Sequence, residues 1–193
     1  NWRGTMMTEK QWVANVISLL RPKLNKIDSS LSISQGQRLM YAYEVQYFTD
    51  DEIGSSKAML YETDTLVSEE IGDKSVPRLV IEAKVNSITT HDAITYSQKA
   101  FSHKQVHPYL RYGIMIGNRK HYPLPGRLFR HGAYFDFMVS WKGYDPTSIE
   151  LNTLVKLIVD EVNASRQLEE ILYSSRKQDR ERYTVLHRPL QLW

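Results

Sequence analysis

The sequence predicts an α/β protein whose core runs helix, three strands, helix, strand. Three observations carry that prediction. An amphipathic helical pattern opens the chain behind a capping pair, Thr8 and Gln11. Three segments rich in β-branched and aromatic residues follow, with polar turn-formers between them. A second helical pattern near residue 91 then leads into the short apolar run Arg111–Gly117. In such an order the three strands form a meander and a helical crossover brings in the last strand, so the sheet is central, mixed and flanked by helices.

Composition bounds the rest. With 193 residues, 41% hydrophobic and 24% charged, the chain reads as one soluble globular domain, 1–193. There is no cysteine, which excludes disulfides and thiolate metal sites and fits a reducing, cytoplasmic setting. No apolar run approaches a membrane span and no signal peptide is visible, so no membrane partner is expected.

Taken in order, Trp12, Val13, Val16, Ile17 and Leu20 fall on one helical face, and Arg21-Pro22 is expected to end that helix. A polar loop follows. Gln37–Phe48 alternates Tyr41, Tyr43, Val45 and Tyr47 with Ala42, Glu44 and Gln46, which argues a strand. Ala58–Val67 and Arg78–Val85 read as the next two strands, with SEEIGDKSVP as the loop between them. A helix over about His91–Lys104 is expected to pack Ala93, Ile94, Ala100 and Phe101 on the sheet. After Arg111–Gly117, the stretch NRKHYPLPGRLFRH carries two prolines and a glycine and reads as an irregular loop. Ala133–Trp141 alternates as a half-buried strand. Thr147 or Ser148 then caps a helix, the apolar phase slips near Asn163–Ser165, and a second helix is expected to hold Leu168, Ile171 and Leu172. The tail Tyr183–Trp193 has enough apolar residues to dock on the domain or on a second subunit.

The chemistry concentrates at the second and third strands. Strand side chains alternate between faces, so Glu62 and Asp64 are expected to share one face of their strand and Glu82 and Lys84 one face of theirs. If the strands are neighbours, three carboxylates and an ammonium meet at one end of the sheet. Two carboxylates about 5 Å apart repel by roughly 3 kcal/mol at an effective dielectric near 20. A divalent cation offsets that cost, and magnesium typically binds through one or two carboxylates, water and a substrate phosphate. Asp64 and Glu82 are the natural ligand pair, with the Ala83 carbonyl close by. Lys84 can orient or deprotonate an attacking water, or stabilise charge developing on phosphate.

Thr63-Asp64, followed by Val80-Ile81-Glu82-Ala83-Lys84, resembles the PD-(D/E)xK, or restriction-endonuclease-like, nuclease superfamily, over roughly residues 8–117. Thr63 stands where the motif usually has Pro. The resemblance implies an αβββαβ core with extra C-terminal helices, Asp64 and Glu82 as metal ligands, Lys84 as catalytic lysine, and Mg2+ as cofactor with Mn2+ able to substitute. It implies a DNA substrate, with a homodimer as a common assembly. Glu62 and Glu44 are additional acidic candidates, and Gln98 is a candidate for contact with phosphate or metal-bound water.

Charge distribution supports a polyanion. Between Ala93 and Phe135 there is no Asp or Glu, while Lys99, Lys104, Arg111, Arg119, Lys120, Arg127 and Arg130 all lie there. Phosphates supply most of the affinity for such a surface. Lys99, Lys104, Arg119, Lys120, His121, Arg127 and Arg130 are therefore the candidate contacts to double-stranded DNA. The four histidines of this stretch lack metal-ligand spacing. The expected activity is Mg2+-dependent hydrolysis of DNA phosphodiesters by a site-specific endonuclease. The alternatives are a junction resolvase, repair nuclease or RNase of the same fold, or a DNA-binding or assembly protein without catalysis.

Overall fold

A computed structural model describes residues 7–120, 124–174, 184–186 and 190–191. Thr8 and Gln11 cap helix α1 (Glu9–Ile27) reciprocally, the Thr8 N–H donating to Gln11 Oε1 at 3.0 Å and the Gln11 N–H to Thr8 Oγ1 at 3.3 Å. Pro22 does not end this helix: it lies inside it, exposed, and the apolar stripe runs on to a fully buried Leu24. Burying a leucine stabilises by about 1.5–3 kcal/mol, comparable to the cost of a proline inside a helix.

The next strand, β1 (Leu31–Gln35), falls in the stretch read as a polar loop. Only Leu31 and Ile33 are apolar, and both are buried. β2 (Arg38–Thr49) and β3 (Glu52–Glu62) then form a separate two-stranded ribbon, closed by a two-residue turn in which Asp50 and Asp51 both take positive φ. Short polar side chains tolerate that left-handed geometry, which matches the twist of a hairpin.

Ala58–Val67 is thus two strands. The chain leaves the ribbon at Glu62 and enters β4 (Thr65–Ile71) after Thr63 and Asp64. Thr63 is buried, and its N–H and hydroxyl both donate to the Gln37 carbonyl at 2.9 Å, which pins the crossing point. β5 (Lys74–Val85) begins earlier than expected, because SEEIGDKSVP extends the β4–β5 hairpin around Gly72 instead of forming a loop. Pro77 is accommodated at a register shift.

Helix α2 (Thr90–Val106) crosses to β6 (Arg111–Gly117), and α3 (Gly126–His131) leads to β7 (Phe137–Ser140), shorter than the expected Ala133–Trp141. Residues 126–131 are helical where an irregular loop was expected. Pro125 precedes the first turn, a place where proline is tolerated, and Leu128 buries itself under the helix. α4 (Ser148–Tyr173) is one helix of 26 residues, not two. Its buried face continues from Val162 into Ser165, and Arg166 ties the second half to Glu69 and Asp28 at 2.6 and 2.8 Å.

The result is a mixed α/β arrangement. A five-stranded sheet, ordered β1-β4-β5-β6-β7, is antiparallel across β1, β4 and β5 and parallel across β5, β6 and β7. The meander is therefore β1-β4-β5, and the ribbon is inserted between its first and second strands. Helices cover both faces. Trp12, Ile17, Leu20, Leu154 and Ile158 pack with Leu79, Ile81 and Ala83 on one face; Ala93, Ala100 and Leu128 pack with Val80, Tyr112 and Ile114 on the other. No helix among the described residues is long and apolar enough to cross a membrane.

Candidate active site

The fold brings Asp64, Glu82 and Lys84 to one end of the sheet. β4 pairs with β5 only as far as Thr65 opposite Ile81, so the Ala83 N–H lies beyond the ladder. Asp64 takes the place of the missing strand: its Oδ2 accepts from the Ala83 N–H at 2.8 Å. Ala83 thus serves first by holding Asp64. Glu82, 1% exposed, turns to the α2 face with Val80, and accepts a 2.5 Å hydrogen bond from the Tyr112 hydroxyl.

The two carboxylates stand within hydrogen-bonding reach of one another, and the electrostatics record it. Burial, reinforced by Asp64, pushes the Glu82 carboxyl up to about 7, while Lys99 and the Tyr112 hydroxyl pull it back. Burial and the neighbouring Glu82 hold the Tyr112 phenol well above its ordinary value.

The lysine nearest Glu82 is Lys99 on α2, with Nζ 3.6 Å from Oε1. It also lies over the rings of Tyr61 and Tyr96, at 5.4 and 5.3 Å. Lys84 ends β5 between the first turns of two helices: its Nζ is 3.4 Å from Glu9 Oε1, 4.0 Å from Asp92 Oδ1 and 5.1 Å from the centre of Tyr96. Burial opposes its charge, but Tyr96, Glu9 and Asp92 outweigh that and hold it firmly as an ammonium. Asp92, Tyr96 and Lys99 recur at helical spacing and form the face of α2 that looks onto the site.

The remaining sequence candidates fall as follows. Glu62 closes β3, exposed, and with Glu9, Lys10, Gln35, Gly36, Thr63 and Asp64 lines a hollow of about 100 Å³. It does not share a strand face with Asp64, because the chain changes sheets between them. Glu44 is exposed on the ribbon opposite Lys57, away from this end of the sheet. Gln98 is exposed, one residue off the α2 face that carries Lys99. Ile94, expected in the buried stripe of α2, is exposed, and His103 is buried in its stead. Lys104 is committed to Asp136 at 2.7 Å and to the Tyr134 carbonyl at 2.9 Å. Arg111 of the basic stretch is buried against Asp136 and Glu161. Arg119 donates to the Asn86 carbonyl at 3.4 Å and Arg127 to the Ile88 carbonyl at 3.0 Å, while Lys120 and Arg130 are exposed. His121 lies outside the described residues, as does much of the tail, in which Val185, Leu186 and Leu190 are exposed.

Sequence reasoning missed Glu9, Asp92, Tyr96 and Tyr112. Each belongs to another element and meets the site only through the fold. Acidic residues in the first turns of α1 and α2 were the one signal, and capping accounts for Asp92 equally well.

Among the described residues no group of three or more His, Asp, Glu or Cys stands ready to hold a metal ion by side chains alone. Two adjoining carboxylates, of which Asp64 lines the open hollow, nevertheless fit a hard dication that keeps water and substrate oxygens in its shell. Glu82, held partly protonated by burial and by Asp64, is the state a bound cation would reverse.

No family model matches the chain, and a comparison with curated proteins finds no match. Among solved structures the chain is similar to a pre-specific restriction endonuclease, BsaWI, in complex with DNA, at 13% identity and a TM-score of 0.33. The likeness covers 57% of this chain and 42% of that one.

Proposed function

We infer that this chain hydrolyses phosphodiester bonds in double-stranded DNA, as a site-specific endonuclease using Mg2+ or Mn2+. One observation carries the reading: Asp64, in the link between β3 and β4, and Glu82 of β5 adjoin at a sheet end, with Lys99 against Glu82 and Lys84 two residues on. Stability alone gives no reason to gather a buried carboxyl and a second carboxylate. The order helix, strand, two strands, helix, strand, once the ribbon is set aside, supports it further.

Asp64 and Glu82, with the Ala83 carbonyl, would hold the metal ion. When bound, the ion polarises the scissile phosphate and lowers the pKa of the attacking water. The chain's own residues supply the rest. Tyr112 fixes the Glu82 rotamer, and the Ala83 N–H fixes that of Asp64. Lys99 neutralises Glu82 while the site is empty of substrate. Lys84, locked as an ammonium, offers fixed positive charge to oxygens that gain negative charge during in-line attack. Arg119, Lys120, Arg127 and Arg130 extend the positive surface proposed to carry DNA, and His121, outside the described residues, is proposed from the sequence alone; Lys104, tied to Asp136, contributes least.

The test is incubation of supercoiled plasmid and phage DNA with Mg2+, with EDTA, and with the Lys84→Ala and Asp64→Ala variants. Discrete fragments that need Mg2+ and vanish in both variants are expected. Full cleavage by Asp64→Ala would refute the site. DNA retarded but intact in every lane would leave a binding protein.

A further inference from the structure

We propose, on the reading that Asp64 and Glu82 hold a metal ion, that Lys99 is the resident counter-ion of that site, competing with the dication for Glu82 and setting how tightly the site loads. Lys99 is held in place from four sides. Its Nζ stands 3.6 Å from Glu82 Oε1 and 3.5 Å from the Glu62 carbonyl, and it lies over the rings of Tyr61 and Tyr96 at 5.4 and 5.3 Å. Tyr61 is itself fixed, stacked at 3.7 Å on Tyr41 of the partner strand and edge-on to His103 of α2. Ring faces attract an ammonium without adding a formal negative charge. Only 22% of the Lys99 side chain is exposed, so it is not a lysine hydrated beside the sheet. Lys84, by contrast, is paired with Glu9 and Asp92.

Charge gives the direction of the effect. A dication on Glu82, whichever oxygen it takes, lies near the ammonium and is repelled by it. Removing Lys99 also strengthens the hold of Glu82 on its proton. The dication, with its double charge, feels the ammonium about twice as strongly as that proton does, so metal gains more than the proton. Tyr61 touches no ligand oxygen in this account, yet by keeping the ammonium in place it weakens metal binding. If Lys99 served only to offset the burial of Glu82, its removal would loosen the fold and leave metal binding no tighter.

The test is titration of the full chain with Mn2+ at pH 8, the free ion followed by electron paramagnetic resonance, with no DNA present and no cleavage required. Lys99→Gln is expected to bind Mn2+ about tenfold more tightly than the parent. Tyr61→Leu, which opens the cage and leaves every charge in place, is expected to tighten binding about threefold. Lys99→Arg, which keeps the charge, and Lys156→Gln, which removes a charge from exposed α4, are expected to stay near the parent value. Circular dichroism checks that each variant is folded. Equal or weaker Mn2+ binding by Lys99→Gln and Tyr61→Leu, with binding still lost in Asp64→Asn, overturns the proposal and leaves the metal site standing. Binding that Asp64→Asn does not reduce, or no binding by any form, removes the metal site and the proposal with it.

Discussion

At the scale of single residues, the site places stability and chemistry in opposition. Glu82 is buried beside Asp64 and is held partly protonated for that reason. Glu82→Gln keeps an acceptor for the Tyr112 hydroxyl and removes the repulsion. The metal-free variant is expected to melt roughly 2–4 °C higher, as about 1 kcal/mol does in a chain of this size, while DNA cleavage falls at least 100-fold; calorimetry and a plasmid assay check the two halves. Added Mg2+ is expected to raise the melting temperature of the parent protein and not that of Asp64→Asn. His103 gives a pH dependence of known sign. It is buried against Tyr112, and burial lowers its pKa to about 4, with the Met40 carbonyl opposing. Between the ordinary value near 6.5 and that value the unfolded chain binds the proton and the folded one does not. Stability is therefore lost as pH falls through that window, at up to about 1.4 kcal/mol per unit. Urea titrations at pH 7 and pH 5 are expected to show a smaller loss in His103→Phe than in the parent chain.

At the scale of elements, α1 and α2 were legible because each carries its own period and its own caps, and β6 because it is a short unbroken apolar run. The pairing of Asp64 with Glu82 was legible because both sit where an apolar strand meets polar residues. Other elements were not. β1 shows only two apolar side chains in five, so its identity comes from pairing with β4 and not from its composition. The break at Thr63 and Asp64 has no glycine or proline to announce it; the alternation of residues 58–67 reads through, and it is bonding to Gly36 and Gln37, which lead into the ribbon's other strand, that fixes where the chain changes sheets. Pro22 shows the reverse case, a strong local signal overridden by a buried leucine two residues on. Pro22→Ala restores a main-chain hydrogen bond at an exposed position and is expected to stabilise the protein by about 1–3 kcal/mol in denaturant titrations.

At the scale of the whole molecule, the five-stranded sheet and the ribbon share no hydrogen-bonded strand pair. Replacing residues 43–58 with an Asn-Gly turn joins Ala42 to Met59, which already face each other. That shortened chain is expected to remain folded, with near-parental melting, as checked by calorimetry. The joint between the two parts consists of Thr63 and Asp64, and the second of these residues is the acid clasped by the Ala83 amide. Only Thr63 stands between arm and acid, so a torque on the outlying hairpin reaches the carboxylate through one intervening residue. Whatever grips the far end of that lever bears, mechanically, on the Asp64 carboxylate.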